Sequence, residues 1–170
     1  GRRLGRSSIH LISLIRNLAR ALILTERDAE FDDNKPKVSG RIITTLPKAK
    51  EVRPVLERCI RIACKALPAE QEAEQYEAPA ERGSAEWKAW RKSEQWRKWA
   101  AARAPAVNAR RRVLRMLGDR QAVWILFNVI APRFADREGG YTRILKLAKP
   151  RLGDAGQRAA LEFVGRHDRI

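Results

Sequence analysis

Apolar residues recur along this chain with two periods, and the switches between them mark its elements. From about Ile9 to Leu24, the positions Ile9, Ile12, Leu14, Ile15, Leu18, Leu22 and Ile23 cover a broad helical face, with Arg16, Asn17 and Arg20 clustered on the opposite side. Ser7 and Ser8 are candidate N-caps. The acidic stretch to Gly40 reads as a loop, and the β-branched run Arg41-Ile42-Ile43-Thr44-Thr45 as a short strand. Leu46-Pro47 opens a second helix, since proline in a first turn removes an N–H that would be unpaired anyway. Val52, Leu56, Cys59, Ile60, Ala63 and Leu67 give it a core stripe; Pro54 inside the stripe costs the bond to the Lys50 carbonyl and should bend it.

Residues 68–105 differ in character. An Ala/Glu/Gln-rich segment leads into Glu86-Trp87-Lys88-Ala89-Trp90-Arg91-Lys92 and its echo Gln95-Trp96-Arg97-Lys98-Trp99. On one continuous helix, Trp87 and Trp90 would lie on one side and Trp96 and Trp99 roughly opposite. Beyond them, Arg110 to Leu117 reads as a short basic helix stopped by Gly118. Asp119 then caps an apolar helix through Val123, Trp124, Leu126, Phe127 and Ile130, which Pro132 ends. Tyr141 to Ala148 and Ala159 to Val164 read as strands joined by a hairpin loop carrying Pro150, Gly153 and Gly156. The fold class expected is α+β, with several helices packed on a small three-stranded mixed sheet and the Trp-rich segment as a helical insertion.

Composition adds bounds. A length of 170 residues suits a single domain, and 44% hydrophobic residues suffice for a modest core. No apolar run approaches the roughly 20 residues that span a bilayer. The basic, apolar start resembles a targeting segment, but Arg16, Asn17 and Arg20 interrupt it and no small-residue cleavage motif follows. The chain opens at Gly1, so further residues, an initiator methionine among them, are expected to precede it. Cys59 and Cys64 lie about 140° apart around a helix, which suits two separate structural thiols in a reducing compartment better than a disulfide or a shared metal.

Charge changes the picture most. The chain carries 36 Lys and Arg against 20 Asp and Glu, a net of +16. Such a field does nothing for the fold, since like charges repel in the compact state; it points to a polyanion, most commonly nucleic acid. Residues 25–40 sum to −2 and residues 68–104 to zero, so the remaining two-thirds carries +18.

Two basic segments stand out. In Pro132-Arg133-Phe134-Ala135-Asp136-Arg137-Glu138-Gly139-Gly140-Tyr141-Thr142-Arg143-Ile144-Leu145-Lys146-Leu147, paired glycines would let a backbone approach a phosphate, with cations around them and a tyrosine able to stack. The plainer reading is a Gly-Gly turn entering a strand. In Arg41-Ile42-Ile43-Thr44-Thr45-Leu46-Pro47-Lys48-Ala49-Lys50-Glu51, a strand feeds a helix N-terminus, whose free N–H groups suit an anion; simple capping by Thr45 is equally compatible.

Taken together, these segments resemble the bacterial-type L-seventeen family of large-ribosomal-subunit proteins, whose hallmarks run close to "IITTLPKAKE" and "GGYTRILK". The leader Leu4-Gly5-Arg6, His10 and Arg16-Asn17-Leu18 also look like that family, as do Arg110-Arg111-Arg112 and Leu126-Phe127-Asn128 between the hallmarks. The resemblance covers residues 1–24, 41–67 and 106–169, the portion that charge alone isolates. Segments 25–40 and 68–105 look like insertions. Leu11 and Ile12 stand where the family usually has basic residues, Pro54 is unusual, and Arg58 replaces a common proline.

The resemblance implies a structural, RNA-binding constituent of the large ribosomal subunit, with no enzymatic activity and no cofactor or metal. RNA contacts would come from Arg2, Arg3, Arg6, His10, Arg16, Asn17 and Arg20 in the first segment. Thr44, Thr45, Lys48, Lys50 and Arg53 would supply the second set, and Arg110, Arg111 and Arg112 the third. Arg133, Arg137, Gly139, Gly140, Tyr141, Thr142, Arg143 and Lys146 would supply the last. Partners would be large-subunit ribosomal RNA and neighbouring proteins, the L-thirty-two family among them, with no membrane and no small-molecule substrate. The ribosome would be cytoplasmic, an organellar one being left open.

Two rival readings are a basic DNA-binding or chromatin-like module and a nucleic-acid enzyme. The second lacks a carboxylate or histidine cluster: His10 and His167 are far apart, and no Walker or dinucleotide motif is present. Glu162 and Asp168 read as strand-surface and tail residues. The Trp pairs, if on opposite sides of one helix, would bridge two surfaces; a self-packed hairpin against Trp124 and Phe127 is the plainer alternative.

Overall fold

The computed structural model describes residues 4–166. Its elements run α1 (Ser8–Leu24), β1 (Arg41–Thr45), α2 (Leu46–Glu74), α3 (Ala85–Lys92), α4 (Glu94–Leu117), α5 (Arg120–Ile125), a π-helical turn (Leu126–Ile130), α6 (Ala131–Arg133), β2 (Thr142–Lys146) and β3 (Arg158–Phe163). The expected α+β class holds. The sheet has the order β1-β3-β2 and both pairings are antiparallel, not mixed. The eleven-residue link from β2 to β3 is a hairpin, which forces that pair antiparallel.

Register sorts the sheet into two faces. Ile42, Leu161 and Ile144 stand in one cross-strand row and join the helical core. The adjacent row, Arg41, Glu162 and Arg143, points the other way, because successive side chains alternate.

Helix α2 is the spine, about 43 Å long at 1.5 Å per residue. Its Ala49, Val52, Leu56, Cys59, Ile60, Ala63 and Ala66 are buried, and its longest packing partner is α4. It continues through Pro54 and beyond Pro68 to Glu74, so the boundary that composition suggested at residue 68 is not an end of structure. Glu, Ala and Gln propagate a helix well, and small buried residues such as Ala66, Ala73 and Ala106 let α2 and α4 lie together. The expected short helix at Arg110–Leu117 is likewise only the end of the 24-residue α4. Gly118 closes it at φ +72°, donating its N–H to the Leu114 carbonyl at 2.7 Å.

The chain departs from its pattern at four other places. Ser7 precedes α1 in extended backbone but its hydroxyl makes no capping bond, and only Ala19, Leu22 and Ile23 of α1 are fully buried. Ile9, 78% exposed, and Ile12 lie outside the core, because the first turns of α1 extend past it. Trp124 is 58% exposed while Ile125, Leu126, Phe127 and Ile130 are buried. The acidic 25–40 segment is tied down: Gly40 N–H donates to Thr25 Oγ1 at 2.9 Å, and Arg27 binds Asp32 at 2.9 Å and the Asn34 carbonyl at 2.7 Å.

The Trp-rich segment differs most from expectation. Ser93 takes an extended conformation (φ −82°, ψ 167°) and ends α3, its N–H donating to the Trp90 carbonyl at 2.9 Å. Its hydroxyl accepts from Trp96 N–H at 3.5 Å and so starts α4. This break turns the second Trp pair back onto the first. Trp90 and Trp99 meet edge to face, centroids 5.6 Å apart, and Trp90 Nε1–H donates to the Tyr76 carbonyl at 3.2 Å. The hairpin packs on itself and on the end of α2; the bridging expected of opposite-facing Trp pairs has no geometric basis.

Candidate nucleic-acid interface

Opposite the core stripe of α2 runs a stripe of exposed cations: Lys50, Arg53, Arg58, Arg61 and Lys65. At 100° per residue they fall within one face, and from Lys50 to Lys65 they extend about 22 Å. Pro54 lies among them, exposed, so the carbonyl it leaves unpaired faces solvent.

Three open clefts flank this ridge. One of 360 Å³ has a floor of Leu46, Pro54 and Ile144 and a rim of Lys50, Arg53 and Lys146. A second, of 420 Å³, lies between Arg58, Arg61 and Lys65 on α2, Arg112 on α4, and Gly139, with two acids, Glu57 and Glu138, in its lining. The third, of 370 Å³, lies between Arg61, Lys65 and Arg137, with Glu138 its one acid. The result is a cationic surface assembled from α2, α4, the Gly-Gly turn and β2.

Glu57 joins the two hallmark segments. Its carboxylate accepts from Tyr141 N–H at 3.3 Å, from Thr142 N–H at 3.0 Å and from the Thr142 hydroxyl at 2.7 Å, and it lies 3.6 Å from Arg53 Nε. The turn is therefore clamped to α2 by an acid, and these two N–H groups are already given to a protein carboxylate. Tyr141 is only 2% exposed; its ring packs on Phe134 at 5.3 Å and its hydroxyl donates to the Arg137 carbonyl at 3.1 Å. The stacking role expected of it is thus not open to it in this conformation. Thr142 is buried too, while Gly139 and Gly140 are exposed, with φ +64° at Gly140.

The other expected contacts divide by partner. Arg133 binds Glu26 at 3.2 and 3.3 Å, a carboxylate 2% exposed that also meets Arg166 at 3.5 Å. Arg110 grips Glu70 at 2.7 and 2.9 Å and lies 4.7 Å from the Phe127 ring. Arg143 and Arg41 each approach Glu162 at 2.5 Å, and Glu162 is fully buried, not the strand-surface residue its position suggested. On α1, Arg16 donates to the Arg115 carbonyl at 3.1 Å and Arg20 to Asn17 Oδ1. These side chains order the protein itself.

Exposed and near the ridge are Lys50, Arg53, Arg112, Arg137 and Lys146; Arg111 is exposed on α4, and Arg6 and His10 are exposed around the start of α1. Lys48 is half-buried, and Thr44 and Thr45 are half-buried with no capping bond from Thr45. Arg2, Arg3, His167 and Asp168 lie outside the described residues. Arg58, Arg61 and Lys65 were missed, although their spacing opposite the Val52–Ala63 core stripe was visible in the sequence.

Metal and thiol chemistry find little here. Among the described residues no three His, Cys, Asp or Glu side chains are grouped to hold a metal ion. Burial pushes the Cys59 thiol up to about 12, and burial also raises Cys64, whose sulfur lies 3.7 Å from the Ala131 carbonyl. No described helix is long and apolar enough to cross a membrane.

Comparison with known proteins gives a consistent result. Residues 14–164 match the family model described as Ribosomal protein L17. The large ribosomal subunit protein bL17 of Rhodopirellula baltica is 66% identical over 170 residues, covering the whole chain and 81% of that protein. Its counterpart in Thermus thermophilus is 35% identical over 164 residues, covering 96% of this chain and 94% of its own. That of Campylobacter lari is 35% identical over 163 residues, covering 96% and 93%.

Proposed function

Because the chain belongs to the bacterial ribosomal protein L17 family, a structural and non-enzymatic family of the large ribosomal subunit, we propose that it binds and stabilises folded large-subunit ribosomal RNA through the cationic ridge of α2. The observation that carries this reading is the separation of charges. Arginines facing buried acids serve the fold, whereas Lys50, Arg53, Arg58, Arg61 and Lys65 line one exposed face beside Arg112, Arg137 and Lys146.

Phosphates brought together by RNA folding repel one another. A rigid row of cations neutralises them and releases condensed counterions, which favours the compact RNA. Selectivity would come from shape and 2′-hydroxyl contacts, since the A-form major groove is too narrow for side chains to read. The apolar floors of the clefts, Leu46, Pro54 and Ile144, suit a ribose or the edge of a base between two phosphates. A protein of the L-thirty-two family is the neighbour we expect, and the ribosome is the bacterial, cytoplasmic one.

Tagged protein should sediment with large subunits through a high-salt cushion and prefer large-subunit RNA over duplex DNA in competition. Release into the supernatant, or a preference for DNA, would favour the chromatin-like module instead.

A further inference from the structure

The segment 68–105 has no net charge, yet its charges are sorted. Residues 69–81 hold five glutamates and no base, while residues 82–103 hold seven bases and two acids. Glu70, Glu74 and Glu77 turn toward Arg103 and Arg110 across the α2–α4 contact. The cationic half forms α3 and the start of α4, where Lys88, Arg91, Lys92, Arg97 and Lys98 are all exposed.

Beside them lies a cleft of 330 Å³ lined by four tryptophans, Trp87, Trp90, Trp96 and Trp99, together with Arg82, Arg91, Arg103 and one acid, Glu77. Trp90 is the buried anchor; the other three are half-exposed. The Arg91 guanidinium sits 5.3 Å from the Trp87 ring and 5.7 Å from the Trp96 ring, and Arg103 lies 4.8 Å from Trp99. Each pair offers a flat π surface with N–H donors at its edge. Half-exposed indole faces are costly to leave in water unless something covers them.

We propose that this hairpin is a second RNA-binding site, which takes unstacked nucleotides of a single-stranded segment. Bases stack on the indole and guanidinium planes, and the surrounding lysines and arginines meet the phosphates. Charge favours RNA as the occupant: three arginines, Arg82, Arg91 and Arg103, line this cleft against one acid, Glu77. The proposal rests on the RNA-binding reading of the whole chain but assigns it a distinct place and a distinct chemistry, stacking in addition to charge.

The test uses the full chain with an oligouridine and with an abasic oligomer of the same length. The double variant Trp87→Leu/Trp96→Leu should bind oligouridine about tenfold more weakly and the abasic oligomer unchanged. Arg91→Gln, which leaves all four indoles in place, should weaken oligouridine in the same direction. A variant with Lys50, Arg58, Arg61 and Lys65 changed to Gln should keep the preference for oligouridine over the abasic oligomer. Equal binding of the two oligomers by the wild-type chain, or equal losses on both in the Trp variant, would overturn the stacking site while leaving the ridge reading intact. If the wild-type chain binds neither oligomer nor folded ribosomal RNA, the general reading fails as well. In assembled large subunits, a photo-cross-linker at Lys92 should capture RNA; capture of protein alone would assign the surface to a protein neighbour.

Discussion

Arginine does opposite work on the sheet and on the spine of this protein. On the sheet, Arg41 and Arg143 close over Glu162, which is completely buried between them. On α2, Arg58 and Arg61 stand on the exposed face with no ion pair among the described residues, and neighbouring cations extend the row to about 22 Å. The residue type is the same and the local charge density similar. The difference is the acid opposite. Where a buried carboxylate waits across a strand or a loop, the cation is part of the fold; where none does, it is available to a polyanion from outside.

Glu162→Ala breaks the first half of that comparison and should have the largest effect. Removing one partner of a buried ion pair costs several kcal/mol, and the two arginines, each about a third exposed, regain some water; a loss of about 3 kcal/mol in denaturant unfolding is expected. RNA affinity, measured on the fraction that stays folded, should not change.

Replacing Lys50, Arg58, Arg61 and Lys65 together by Gln breaks the second half. Stability should move by less than about 0.5 kcal/mol, since these are surface changes. The slope of log affinity for large-subunit RNA against log salt should fall by roughly 3. An unchanged slope would move the interface off α2.

The smallest effect is expected at the hairpin tip. Arg151 there donates to Asp154 at 2.8 Å from Nε, and this contact holds the Asp154 carboxyl well below the usual carboxylate range. Both side chains are half-exposed, so water screens the pair. Arg151→Ala should leave both the melting temperature and RNA binding unchanged, which would show that a cation near β2 matters only when it belongs to the ridge or to a buried acid.

How far the chain could be read in advance varies by element. The strand Arg41–Thr45 and the start of α2 at Leu46 were legible to the residue, because β-branching, Pro47 and helical periodicity agree there. The residues around Gly139-Gly140 were legible as a hallmark of the family, but not the reason they hold together. That reason is Glu57, more than 80 positions earlier, whose carboxylate fastens the turn to α2. The Trp-rich segment misled because a period of 3.6 was carried across Ser93, where two hydrogen bonds to Trp90 and Trp96 break the helix.

By itself, then, the sequence determined the α+β composition of elements, the core stripe of α2, the strong net positive charge and the family. These are local or summed properties: periodicity, capping, charge, motif. Only the tertiary structure decided which cations are spent on Glu26, Glu70 and Glu162 and which remain on the surface, and it turned four tryptophans from two opposed pairs into one cleft. Each of those outcomes depends on contacts between residues far apart in the chain or on one break in a helix, where position in space outweighs position in sequence.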